Sequence, residues 1–198
     1  MKQPNYLRII LAVVVFLVAT ESAWARNSQL HVRTGILNGK FNGLFSGSFM
    51  LNGAVDVDYE MFLSNDTSFL FRFIQGFDSP DSRPFYTYAG TGARSYFWGK
   101  GTMVDQSDTT LQITSHPTLR AYVGGDVGIS QVVVKSFGPT VQAVANMVDI
   151  GVNVGAIYQM TRHFGLEVHG GLSFGYGMSS THANGHTERL LLGVTYFF

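Results

Sequence analysis

The sequence predicts an all-β fold, an antiparallel up-and-down barrel closed on itself, with an apolar outer wall and a polar, Gly-rich interior. Three observations carry that expectation. Long stretches alternate apolar with small or polar residues at a period of two, the side-chain periodicity of a strand. The composition joins 45% hydrophobic and 14% aromatic residues to 23 glycines and only 13% charge. Beyond residue 25, no window approaches the roughly 18 consecutive apolar residues of a membrane helix.

The N-terminus is of a different kind. "MKQPNYLR" carries Lys2 and Arg8, "IILAVVVFLVA" is continuously apolar, and "ATESAWA" closes on Ala23, Trp24 and Ala25. A basic segment, a hydrophobic segment and an A-x-A pattern make a secretory leader over 1–25, with Ala23 and Ala25 at the cleavage site. The apolar run is too short to span a bilayer, which takes about 20 residues. The mature chain is expected to cover 26–198 as one domain. Lys2, Arg8 and Glu21 leave with the leader, so 11 basic residues face 12 acidic ones. Without a basic surplus, a nucleic-acid partner is not expected. The chain has no cysteine, so an exported protein of this size is held by something other than disulfides.

Eight strands follow. At 29–37, Leu30, Val32, Thr34 and Ile36 alternate with His31, Arg33 and Gly35. At 48–63, Leu51, Val55, Val57, Tyr59, Met61 and Leu63 are expected on the apolar side, opposite Asn52, Ala54, Asp56, Asp58, Glu60 and Phe62. "SNDT" turns the chain into 68–77, where Phe69, Phe71 and Phe73 face away from Arg72. The stretch 85–98 is rich in Tyr and Gly and holds Arg94. At 119–135, Leu119, Val123, Val127 and Ile129 oppose Arg120, Tyr122, Asp126 and Ser130. At 148–160, Ile150, Val152 and Val154 oppose Asp149, Gly151 and Asn153, and "TRH" makes a tight hairpin into 164–178. There Leu166, Val168, Phe174 and Tyr176 oppose Glu167, His169, Ser173 and several glycines. The last strand, 188–198, ends "LLLGVTYFF", with Leu190, Leu192, Val194, Tyr196 and Phe198 on one uninterrupted apolar face. Long connections are expected at 38–47, 78–84, 136–147 and 179–187. The connection 99–118 is long where a short turn is expected, and "TTLQIT" inside it leaves ten barrel strands open.

Strands this long must bury their apolar face. A soluble sandwich buries it against a second sheet and shows water a polar face, but the second face here is dominated by glycine, which weakens an exposed strand. A lipocalin-like barrel turns its apolar face inward and coats itself with charge, and lysine is scarce. A barrel in lipid fits both faces: acyl chains cover the apolar wall, the mixed face fills the lumen, and closure pairs every backbone group. Tyr59, Tyr158, Phe164, Tyr176, Tyr196 and Phe198, near strand ends, match interfacial aromatic girdles.

The terminal strand ending in Phe198, the hairpin "IGVNVGAIYQMTRHFGLEVHGGLSFGYG" and the leader resemble the small outer-membrane β-barrels of Gram-negative-type bacteria. The class is typified by the membrane domain of outer membrane protein A. The resemblance covers essentially all of the mature chain and is one of pattern rather than motif. It implies residence among outer-membrane lipids and lipopolysaccharide. It also implies that Val194, Tyr196 and Phe198 belong to the signal read by the barrel-assembly machinery.

An eight-stranded barrel is only wide enough for its own side chains to fill it. Asp56, Asp58, Glu60, Asp126 and Glu167 are expected to pair there with Arg33, Arg72, Arg94 and Arg120, as a plug that fixes strand register. A gated ion path is the alternative. Glu167 and His169, about 7 Å apart on one face, are candidate catalytic partners of the kind a lipid A-modifying enzyme needs. Ser173 lies about 13 Å from His169, too far to serve as the nucleophile, so catalysis is not expected. In "SSTHANGHTER", His182, His186 and Glu188 have the donors for zinc or copper, but a polar surface loop accounts for them, and no cofactor is expected. The expected function is an integral barrel with a structural, adhesive or anchoring role, presenting its long connections to an extracellular ligand. A small pore and a lipid A-modifying enzyme are the alternatives. N-terminal sequencing of the exported protein is expected to begin at Arg26; a start at Met1 would reveal a retained anchor.

Overall fold

The computed structural model describes residues 28–42, 47–78, 83–99, 104–108, 111–115, 119–135, 142–178 and 184–198. Ala23 and Ala25 lie outside the described residues. The strands are β1 (Ser28–Asn42), β2 (Gly47–Phe62), β3 (Thr67–Asp78), β4 (Arg83–Trp98), β5 (Val104–Asp108), β6 (Leu111–Ser115), β7 (Leu119–Lys135), β8 (Gln142–Gln159), β9 (Phe164–Gly177) and β10 (Asn184–Phe197). Eight of them close into an antiparallel barrel in the order β1-β10-β9-β8-β7-β4-β3-β2, while β5 and β6 form a two-stranded sheet of their own. The barrel count is therefore eight, and the strand signal in "TTLQIT" belongs to a hairpin off the barrel. That hairpin, both ends of the described chain and the turns at 63–66 and 160–163 lie at one end of the barrel.

The strands outrun their sequence signal. β1 continues to Asn42 and pairs with β10 as far as Asn42↔Asn184. β8 begins at Gln142, not 148. The connections shrink accordingly to 43–46, 79–82, 136–141 and 179–183. "NGKFN" and "QAVAN" show no sharp alternation because small and polar residues stand on both faces, although Phe41 still packs inward against the Leu37 cluster.

Pairing of β1 with β10 closes the barrel, from Gln29↔Phe197 upward. Phe198 N–H adds a bond to Ser28 O at 3.3 Å. The Phe198 ring stands edge-on to Tyr196 (5.0 Å) and Tyr59 (6.3 Å), and Tyr196 meets Phe164 at 5.2 Å. Outside, Val123, Val127, Ile150, Val152, Leu166, Val168, Leu190 and Leu192 are each at least half exposed. A continuous apolar wall of this kind needs a cover, and hydrocarbon supplies it.

Leu51 departs from expectation. Read as one unbroken alternation, 48–63 puts it outside; it is 3% exposed, inside the barrel against Leu37 and Ile74. Gly35 pairs with Ala54 but Leu37 pairs with Leu51, so Asn52 and Gly53 together oppose Ile36. This bulge inverts the parity of β2 beyond Gly53.

Gly193, within the terminal strand, faces inward where β1 approaches closely. A Cβ there would strike Val32 O and lie 2.5 Å from Arg33 Cγ. Gly193→Val is expected to destabilise the barrel by about 1–3 kcal/mol through overpacking. Leu192→Val, on the lipid side, should change the urea midpoint little. Equal midpoints for both variants would contradict the facing of this strand.

Candidate functional site: a sealed, charged lumen

Alternation on β2 stacks Asp56, Asp58 and Glu60 in one column on the inner wall. β1 brings Arg33 to that column, β3 brings Arg72 and β4 brings Arg94. Asp58 is the hub. It accepts from Arg72 Nε (2.8 Å) and Nη2 (2.9 Å), and from the guanidiniums of Arg33 and Arg94. Glu60 accepts from Arg94 Nη1 at 2.7 Å, from Tyr96 Oη at 2.9 Å and from Ser68. Glu167 accepts from Arg33 Nη1 at 2.8 Å and from Tyr122 Oη at 2.5 Å. Asp126 gathers Arg72, Arg189, Tyr88 and Asn153, at 2.7–2.9 Å. Asp56 is more loosely held, 3.5 Å from Arg33 and 3.7 Å from Arg72. Arg120 stands toward the terminal end, donating to Gln159 at 3.2 Å with its guanidinium 4.3 Å above the Phe197 ring.

The structure thus brings most of the expected lumen charges into one network and adds members the sequence reading passed over. His31 lies between two carboxylates, with Nε2 2.7 Å from Glu60 and Nδ1 2.7 Å from Glu167. Arg189 and Asp149 are buried as well, so among the described residues five arginines and His31 stand against six acids in the lumen. Strand parity was the available signal. His31 shares a face with Arg33, Arg189 with Leu191, and Asp149 with Asn153.

Two apolar layers close this polar midsection. Toward the loop end, Leu37, Leu51, Ile74, Tyr86, Val132, Met147 and Leu191 pack together. Toward the terminal end, Tyr96, Tyr122, Ile157 and Phe197 do so, with Phe62 against them.

Glu167 and His169, the candidate catalytic partners, share the inner face of β9 without a hydrogen bond to each other. The Tyr122 hydroxyl stands between them, 2.5 Å from Glu167 and 2.7 Å from His169 Nδ1. Tyr122 reaches that position because Gly155, its partner on β8, leaves room; a Cβ there would collide with the Tyr122 ring. Ser173 Oγ is 2.6 Å from Thr187 Oγ1 and belongs to that pair. His186 and Glu188 are part of β10, not of a loop, and His182 lies outside the described residues. Val194 is exposed, while Tyr196 and Phe198 are half-buried in the aromatic cluster at the closing seam.

No family model and no curated protein matches the chain. Among solved structures, neisserial surface protein A is similar over 86% of this chain and 97% of its own, at 15% identity and a TM-score of 0.57. The N-terminal β-barrel domain of Pseudomonas aeruginosa OprF is also similar, over 87% of this chain and 98% of its own, at 16% identity and a TM-score of 0.48. So is Ail, the attachment invasion locus protein of Yersinia pestis, over 87% of this chain and 99% of its own, at 12% identity and a TM-score of 0.48. What the chain shares with neisserial surface protein A is its fold, the small closed barrel.

Proposed function

We propose that the chain is an integral outer-membrane barrel with a structural role: it anchors in the bilayer and holds its connections at 43–46, 79–82, 136–141 and 179–183 at the cell surface for contact with an outside partner. The observation that carries this is the inverted polarity of the molecule, greasy on its exposed wall and charged inside, with most of the charges paired and an apolar layer on either side of them. A fold shared with a neisserial surface protein is in keeping with display at a surface. The outward row Val194, Tyr196 and Phe198, at the terminal end, is offered as the stretch that the assembly machinery reads. No reaction is assigned, because Glu167 and His169 are both engaged by Tyr122 inside the wall.

The purified protein in a planar bilayer is expected to show no single-channel steps; discrete openings would replace the sealed barrel with a small pore. The network has its own test. Asp58→Asn removes the charge shared by three arginines, and breaking a buried pair from one side costs about 3–5 kcal/mol. Urea unfolding in micelles should show a loss of that order, and a loss below about 1 kcal/mol would mean the guanidiniums are solvated.

A further inference from the structure

Among the barrel residues with described side chains, nearly every acid, lysine, arginine and histidine of a strand turns into the lumen. Those that turn outward are Lys40, His186 and Glu188, and all three lie on the β1–β10 seam. The register sets them in successive rows, Ile36↔Leu190, Asn38↔Glu188, Lys40↔His186 and Asn42↔Asn184. The first row is the last outward apolar pair on these two strands, with Ile36 42% and Leu190 59% exposed. The next begins one same-face step, about 7 Å, further along the strands. On β9 the outward face beside them stays aromatic, with Phe174 opposite His186 and Tyr176 opposite Asn184, so the polar rows of the seam stand next to rings of the kind that favour the headgroup interface. Lys40 makes no ion pair among the described residues, and His186 lies beside the Phe174 ring, tilted by 46° with 6.4 Å between centroids.

We propose that this patch is a binding site for the phosphorylated sugar headgroup of a membrane glycolipid, with Lys40 and His186 holding the phosphate; it rests on the outer-membrane reading above. The chemistry of each row fits. An ammonium and an imidazole N–H side by side across two strands are donors that strengthen against an anion. The amides of Asn38, Asn42 and Asn184 both donate and accept, as a ring of sugar hydroxyls requires. Glu188, one row nearer the hydrocarbon, accepts from a hydroxyl and repels the phosphate toward Lys40. A bare phospholipid headgroup would use the cationic row and leave the amide rows idle.

The test uses protein extracted from membranes and reconstituted in vesicles of phosphatidylcholine alone, or with a minor fraction of phosphatidylglycerol or of lipid A. Wild-type protein is expected to unfold at higher urea with lipid A than in either other membrane. K40Q/H186Q should match wild type in phosphatidylcholine and lose the lipid A increment. The lipid A fraction needed for half the effect should rise at least about tenfold, the effect of losing even one of the two charge-assisted hydrogen bonds. An undiminished increment in the variant overturns the site, and an equal increment from phosphatidylglycerol overturns the sugar as ligand. Wild-type protein that enters none of the vesicles overturns the membrane reading itself, a separate failure. Should the double variant not fold in phosphatidylcholine, Lys40→Gln and His186→Gln carry the same comparison singly.

Discussion

A peptide group in hydrocarbon has no water to fall back on, and leaving one unpaired costs several kcal/mol. Everything else in this molecule depends on that constraint. A sheet with free edges would leave two rows of such groups exposed, so β1 must find β10, and the chain must supply both with matching length and register. It does so from Gln29↔Phe197 to Asn42↔Asn184. The last residue is used as well, its N–H bonded to Ser28 O and its ring wedged against Tyr59 and Tyr196.

Closure at eight strands then dictates the interior. The space is too narrow for a water column and too wide for small residues alone. Large side chains fill it, with glycines beneath them where strands come close: Tyr122 over Gly155, and Arg33 against Gly193. The charges among them add little net stability compared with a well-packed apolar core, since desolvation offsets much of their attraction. Their effect is on choice. Asp58 takes guanidiniums from β1, β3 and β4 at once. A slip of one residue in any of these strands would send its arginine to the lipid side and leave the carboxylate short of partners.

That division of labour explains how far the sequence could be read. Facing was legible almost everywhere, because lipid on one side and lumen on the other enforce a strict period of two. β9 from Phe164 to Tyr176 follows it without a break, and Arg94 turns inward despite its Tyr- and Gly-rich surroundings. Leu51 was not legible, because a bulge at Asn52 and Gly53 changes parity and leaves no local mark. Partners were not legible either. Parity tells which side a residue faces, whereas contact across a tilted barrel depends on the height at which each strand crosses. Glu167 and His169 are same-face neighbours on one strand, yet Tyr122 from β7 reaches between them. The strand ends at 38–42 and 184–187 were hidden for the opposite reason: their outward residues, Asn38, Lys40 and His186, are polar, so the contrast with the inward face is lost although Phe41 and Thr187 still pack inside.

The outer wall of β10 resolves into three zones along one line of side chains. Phe198 and Tyr196 are aromatic, Val194, Leu192 and Leu190 aliphatic, and Glu188, His186 and Asn184 polar. From Phe198 to Leu190 the strand rises about 26 Å, which a tilt near 40° reduces to about 20 Å of depth. The next row brings it close to the roughly 25 Å apolar band of such barrels. The two boundaries are thus set by different chemistry, ring quadrupoles and amphipathic phenols at the terminal end and full hydrogen-bonding groups at the loop end. Because β1 carries its polar residues at the same rows, the seam that closes the barrel also fixes how deep it sits.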